Sequence, residues 1–342
     1  MTRDQTQIFK GVAIILMLFL HLFNYTANVD LCHNIFFING KPLVSYLVGA
    51  ANPVAFFLIL GGYGMYKVYE KGDRHRWTRV FKLYLHYWII LAIFLIIGHF
   101  LNPDLYPGSI SDLLSNITTY STTYNGEMWF LLPYVCLSLL APTLFKAVRH
   151  VRAWKVVAVT LFIHLCTSFC ISRYGTSFLF HNLWAYNPLL ICHLMFNFSL
   201  GAMAARSNFF ERLSNKTYAL GRWRSRIAVL GVIIFVLISC VFKYNYFYAF
   251  IVITLLTLVR MPQWLMFMLA GLGKQSMNMW MIHTWFCYYL FREFIYSFEY
   301  PIVILMVLIA VSYVTSIIIN LIAVPIERRI LTRSEMKEKI AI

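Results

Sequence analysis

Lys10 and His21 are separated by ten residues that are all apolar or glycine. In a helix rising about 1.5 Å per residue, this spacing sets the imidazole roughly 16 Å beyond the ammonium. That is about half of a bilayer core roughly 30 Å thick. An ionisable side chain at such depth is costly, and its default reading is functional. Imidazole can act there as a general base or as a nucleophile. The plain structural alternative is a lysine that snorkels from a helix end and a core histidine bonded to a carbonyl. Lys274 and His283, nine positions apart, repeat the pattern. His164, nine beyond Lys155, and His193, thirteen before Arg206, fall at similar depth. Four histidines near one plane point to a polar cavity, although His164 and His193 read more readily as structural.

Arg76, Arg79 and Lys82 open the third apolar run, with residues 79 and 82 on one helical face. Two cations so placed suit an anionic group such as the phosphates of a coenzyme A thioester. Glu127 heads the fourth run, where it can orient a hydroxyl or an imidazole, or simply favour a helix start. Gly61-Gly62-Tyr63-Gly64 lies within a span and reads as helix packing rather than phosphate binding. The single H-x4-D pattern, His99 to Asp104, lies at an outer helix end and reads as coincidence. Seven cysteines without a C-x-x-C pair give no metal site and no disulfide framework.

The elements that must position these residues follow from composition. Of 342 residues, 61% are hydrophobic and 12% charged, and the mean hydropathy is +0.70. A soluble chain carries about a quarter charged residues, so disorder, coiled coil and an ordinary soluble domain are excluded. Apolar runs near 10–27, 43–66, 80–100, 128–147, 154–172, 184–205, 226–242, 244–260, 264–291 and 300–325 read as about ten transmembrane helices. Gly271, Gly273 and Lys274 interrupt the ninth run, which suggests a start near Ser276. The fold class is thus an all-α polytopic membrane bundle forming one domain over 1–342, with the bundle at 1–326 and a basic tail at 327–342.

The net charge is +16, and its distribution gives an orientation. With the N-terminus cytoplasmic, the inner loops hold nearly every basic residue, from Lys67, Lys71, Arg74 and Arg76 to Arg328 and Arg329. The outer side keeps Lys41, Arg173, Lys243 and Arg292. This asymmetry predicts both termini inside and makes nucleic-acid binding the weaker explanation of the charge. The first run lacks a small-residue cleavage site and reads as a retained span. The outer loop 101–126 is rich in Ser, Thr, Asn and Tyr and has no Lys or Arg; it suits either a sugar contact or an exposed linker.

Taken in order, five stretches resemble the membrane acyltransferase-3 family. Lys10 through His21 resembles its first-helix signature of a basic residue, ten residues and a histidine. Phe56-Phe57-Leu-Ile-Leu-Gly61-Gly62-Tyr63 resembles its second helix, and Arg79-Val-Phe-Lys82 its R-x-x-R. Glu127-Met-Trp129-Phe130-Leu131 resembles the W-[FY]-L stretch, and Leu272 through His283 the LG-x-x-S motif ending in histidine. The resemblance spans 5–292. Lys10 and Lys82 stand where arginine is usual, Leu85 where proline is common and Trp280 where tyrosine is usual. Arg76-Trp-Thr-Arg79 also fits R-x-x-R, leaving two registers open.

The resemblance implies transfer of an acyl group, usually acetyl, from cytoplasmic acyl-CoA to a sugar hydroxyl of an exported or surface glycan. On it, His21 is the catalytic base or the carrier of a transient acyl group. Lys10, Arg79 and Lys82, with Arg76 in the other register, hold the acetyl-CoA phosphates. Lys10, which also counts among the phosphate holders, Glu127 and His283 complete the catalytic set. Acyl-CoA serves as co-substrate and no metal is needed. The expected partners are a polysaccharide or lipid-linked sugar acceptor, membrane lipid and a second copy in a homodimer, and the expected location is the cell (inner) membrane. The rival class is a polysaccharide exporter, for which the histidines would line a translocation path.

Overall fold

The computed structural model describes residues 1–72, 76–242 and 246–340, with residues 331–340 as backbone. Arg74 and Lys243 of the charge pattern lie outside the described residues. In lipid only internal hydrogen bonds can satisfy backbone N–H and C=O groups, and the apolar runs accordingly fold as helices. In chain order the bundle is built from α1 (Arg3–Phe23), α2 (Pro53–Glu70), α3 (Arg76–Leu101), α4 (Leu131–Ala147), α5 (Ala153–Tyr174), α6 (Leu183–Arg206), α7 (Gly221–Val241), α8 (Tyr248–Leu256), α9 (Gln263–Thr284) and α10 (Pro301–Ile340). Among the described residues, eight elements are long and apolar enough to cross a membrane, and α8 and α9 are the two expected spans not among them. α8 has only nine residues, and α9 carries Gly271, Gly273, Lys274 and Gln275 at its centre. The protein is an all-α, multi-pass membrane protein. Between α1 and α2 lies one two-residue hairpin, Phe37–Ile38 with Lys41–Pro42, turned at Asn39-Gly40 with positive φ at both.

Helix boundaries differ from the expectation in three places. α1 starts at Arg3, held by a reciprocal cap between Thr2 and Gln5. Lys10 is therefore two turns inside the helix rather than at its mouth, and His21 lies in the last turn rather than at mid-helix. α9 begins at Gln263 and passes through Gly271, Gly273 and Lys274 without a break. Two of the glycines at that level serve a crossing: a Cβ on Gly273 would meet the Gln7 backbone, and one on Gly11 the Leu269 backbone. The small residues let α1 and α9 approach backbone to backbone. Third, residues 327–340, expected as a separate tail, continue α10 to Ile340.

Contacts between helix ends define a common face. Lys67 at the end of α2 meets Asn208 just beyond α6 (2.9 Å), and the N-terminal amine meets Glu211 (2.6 Å). Arg206 donates to the carbonyls of Val148 (2.8 Å) and Val151 past α4. The start of α1, the ends of α2, α4 and α6, and the basic loops beside them thus share one side. α2 and α6 pack through Gly62 against Phe198 and Ala202, and Gly201 against Ile59, as the reading of the Gly61–Gly64 stretch anticipates.

The 101–126 stretch is largely exposed but ordered, anchored at Tyr106, Asn116, Thr119, Tyr124 and Asn125, which are buried. Its short helix Ile110–Thr118 folds back along α3, whose Tyr84, Tyr87 and Trp88 donate to carbonyls of Thr118, Asn116 and Ile117 (3.2, 2.8 and 2.9 Å). The chain then returns through a short turn at Gly126–Phe130 into α4.

Candidate active site

The crossing of α1 and α9 brings His21 and His283 together, 262 residues apart in sequence. Nδ1 of His21 lies 2.7 Å from Nε2 of His283. His283 is fully buried, and its Nδ1 faces the carbonyls of Trp280 (2.7 Å) and Met279 (3.1 Å). A nitrogen facing two acceptors carries the hydrogen, so Nε2 of the neutral ring holds a lone pair. That lone pair accepts from Nδ1–H of His21. The other nitrogen of His21, Nε2, is then left with a lone pair of its own. Carbonyl, His283 and His21 form a hydrogen-bonded relay that fixes the tautomer of His21, an arrangement able to orient an imidazole as a carboxylate does elsewhere. The His21 ring also meets the Tyr288 ring edge-on, and the Tyr288 hydroxyl sits between the His21 carbonyl and Oδ1 of Asn24.

A cavity of about 470 Å³ opens beside this pair toward the basic face, lined by Lys10, Arg79 and Lys82. The three cations come from α1 and α3, so three of the four residues expected to hold phosphates line one cavity. Arg76 does not line the cavity; its guanidinium donates to the Leu139 carbonyl on α4 (3.3 Å). The geometry favours the Arg79/Lys82 register. Neither histidine of the pair lines the cavity. Trp280 does, and its carbonyl is the nearer of the two that face His283, so the cavity reaches a residue that holds the relay. The Trp280 indole packs edge-on against Phe130 at that boundary.

Glu127 sits on the other side of the boundary. Its carboxylate accepts from the Tyr289 hydroxyl (2.7 Å), which itself accepts from the Gly126 N–H (2.8 Å). Glu127 therefore meets neither histidine directly and is tied to the segment carrying Tyr288. His164 and His193 stack on each other at 4.1 Å between α5 and α6, with His164 donating to the His193 carbonyl (2.8 Å). The four histidines thus form two separate pairs, His21 with His283 between α1 and α9 and His164 with His193 between α5 and α6.

Two cavity residues escaped the sequence reading. Glu327 on α10 forms an ion pair with Lys82, and its other oxygen lies 3.9 Å from Nε2 of His86. His86 is buried, and its Nδ1–H donates to Oδ1 of Asn278 (2.8 Å). Asn278 donates in turn to Asn320 (3.0 Å), which donates to Gln275 (2.6 Å). His86 stands four residues after Lys82, a spacing that places both on one helix face; that was the available signal. Glu327 begins the basic stretch after the last span and reads from sequence as an ordinary loop charge.

No curated protein and no solved structure matches the chain. A family model described as an acyltransferase domain matches residues 6–321, nearly the whole length. A five-motif resemblance, a multi-pass helical bundle and this match agree: the chain belongs to the acyltransferase-3 family and is a membrane acyltransferase.

Proposed function

We propose that the protein moves an acetyl group from cytoplasmic acetyl-CoA to a sugar hydroxyl of a cell-envelope polysaccharide or its lipid-linked precursor, in the cell (inner) membrane. The observation that carries the reading is the relay that leaves Nε2 of His21 with a lone pair, on the same helix as Lys10 and beside a cavity with three cations. Lys10, Arg79 and Lys82 hold the CoA phosphates, and the cavity directs the thioester toward the boundary at Trp280. His21 takes the proton of the attacking hydroxyl. The sugar oxygen bonds to the thioester carbon, the C–S bond breaks, and the proton ends on the departing CoA sulfur. The same lone pair is also placed for a transient acyl-histidine, with the sugar attacking in a second step. Glu127 acts at a distance, by holding Tyr289 and the segment with Tyr288 against His21. An exporter would need a continuous polar path, and the division of the histidines into two separate pairs favours transfer over it.

The test is label transfer. Purified protein in nanodiscs is given labelled acetyl-CoA and envelope glycan, and alkali-labile label is counted on the glycan. Transfer supports the reading. Glycan movement across the bilayer with no label transferred would favour export instead.

A further inference from the structure

Beside the reaction centre lies a second cavity, about 270 Å³, between the Thr119–Thr123 stretch, Trp129 and the Tyr186–Asn187 turn of α6. Its size is near the lower end of ligand pockets, which start at about 300 Å³. It therefore suits one small ring rather than a long chain. No charged residue lines it.

The wall is built, not loose. Asn116 is buried and uses its amide three ways: it donates to the Asp112 carbonyl (2.8 Å) and to Oγ1 of Thr123 (2.8 Å), and accepts from the Tyr124 N–H (3.1 Å). Thr119 holds a left-handed backbone and shares a hydrogen bond with the Tyr84 hydroxyl (3.0 Å). Asn187 donates to the Tyr120 carbonyl (3.3 Å) from the facing helix. Against this fixed frame, Ser121, Tyr186 and Trp129 line the cavity, and their hydroxyl and indole N–H groups have no hydrogen-bond partner among the described residues. The Trp129 ring is 37% exposed.

An aromatic face with unpaired hydroxyl and N–H groups around it, and no charge, matches the chemistry of an uncharged sugar ring. The ring's C–H face stacks on the indole, and its hydroxyls exchange hydrogen bonds with Ser121, Tyr186 and Trp129. A uronic acid would lose its hydration there and find no counter-charge. Position ties the cavity to the chemistry. Asn125, just past the Thr119–Thr123 wall, accepts from the hydroxyl of Thr284 (2.9 Å), the residue after His283. The Asn125–Phe130 segment thus separates the cavity from the relay.

Building on the acyl-transfer reading, we infer that this cavity is an acceptor subsite that holds an uncharged hexose unit of the glycan next to the one acetylated. The experiment uses the full chain in nanodiscs on an array of neutral hexose oligosaccharides and uronic-acid oligosaccharides, with acceptor KM measured by label transfer. The wild type is expected to bind neutral chains over uronates, and Trp129→Ala to weaken binding and raise acceptor KM about tenfold, with acetyl-CoA KM kept. Trp129→Phe, which keeps a ring, should recover most of the binding and guards against a folding defect; Tyr186→Phe should cost a few-fold. Absence of neutral-sugar binding by the wild type, preference for uronates, or unchanged binding in both Trp129→Ala and Tyr186→Phe overturns the subsite. Trp129-dependent sugar binding without acetyl transfer keeps the subsite and removes the acyl-transfer reading. Transfer with unchanged acceptor KM in Trp129→Ala does the reverse.

Discussion

His283 and the three cavity cations touch different parts of one proposed reaction, and their variants should separate kinetically. In the proposed reaction His283 acts through His21, whose tautomer it fixes by its own bond to the Trp280 carbonyl. His283→Ala should therefore lower kcat with acetyl-CoA KM nearly kept. Loss of KM alone would move His283 out of the relay. Arg79 and Lys82 would grip phosphates whose charge does not change during attack, and such contacts raise affinity without raising turnover. Arg79→Ala should raise acetyl-CoA KM about tenfold or more at nearly constant kcat; a collapsed kcat at unchanged KM would place it at the reacting centre. Because Glu327 already occupies Lys82, Glu327→Gln should lower acetyl-CoA KM a few-fold, a small effect because Lys82 is partly exposed. A raised KM would show that Glu327 instead positions Lys82. At this scale the spacing of Lys10, His21, Arg79, Lys82 and His283 was readable because each motif is local. The partnership of Lys82 with Glu327 joins residues 245 positions apart, and only the folded chain brings them together.

Helix crossings, more than individual contacts, set the distance between the two imidazoles. At α1 and α9 the backbones meet at Gly11 and Gly273, whereas Gly271, two residues away, has only ordinary contact with the Tyr313 hydroxyl at 3.8 Å. Gly273→Ala forces the helices apart and should cost both thermal stability and transfer. Gly271→Ala should be tolerated, or stabilise by up to about 1 kcal/mol through helix propensity. Equal behaviour of the two variants in thermal unfolding and label transfer would contradict the crossing as the determinant. Helix existence was legible from apolar runs. The glycines misled about the start of α9, because single residues that break an isolated helix are the ones that let two helices touch. The 101–126 stretch left two readings open from its composition; Ser109, Ser111 and Tyr120 are exposed, whereas Asn116 is buried and three α3 side chains hold the backbone, contacts that composition does not carry.

For the whole molecule, charge asymmetry and the shared face of the helix ends favour both termini inside. On that orientation the three-cation cavity would face the cytoplasm, where the proposed acetyl-CoA is found, and the proposed hexose subsite would lie beyond the boundary at Trp280. Single cysteines introduced at Tyr120 and at Tyr218 and treated with an impermeant maleimide on intact cells should label at the first and not at the second; the reverse would invert the orientation. Burial pushes the native Cys32 thiol up to about 11, which disfavours its thiolate at neutral pH and keeps its background low. The most direct measurement is acetyl transfer from labelled acetyl-CoA to envelope glycan by purified protein, wild type against His21→Ala at equal membrane insertion. A general base contributes about 10²–10⁴-fold, so the expected result is alkali-labile glycan label with the wild type and at least about a hundredfold less with His21→Ala. Retention of more than about a tenth of the wild-type transfer by His21→Ala would contradict His21 as the base.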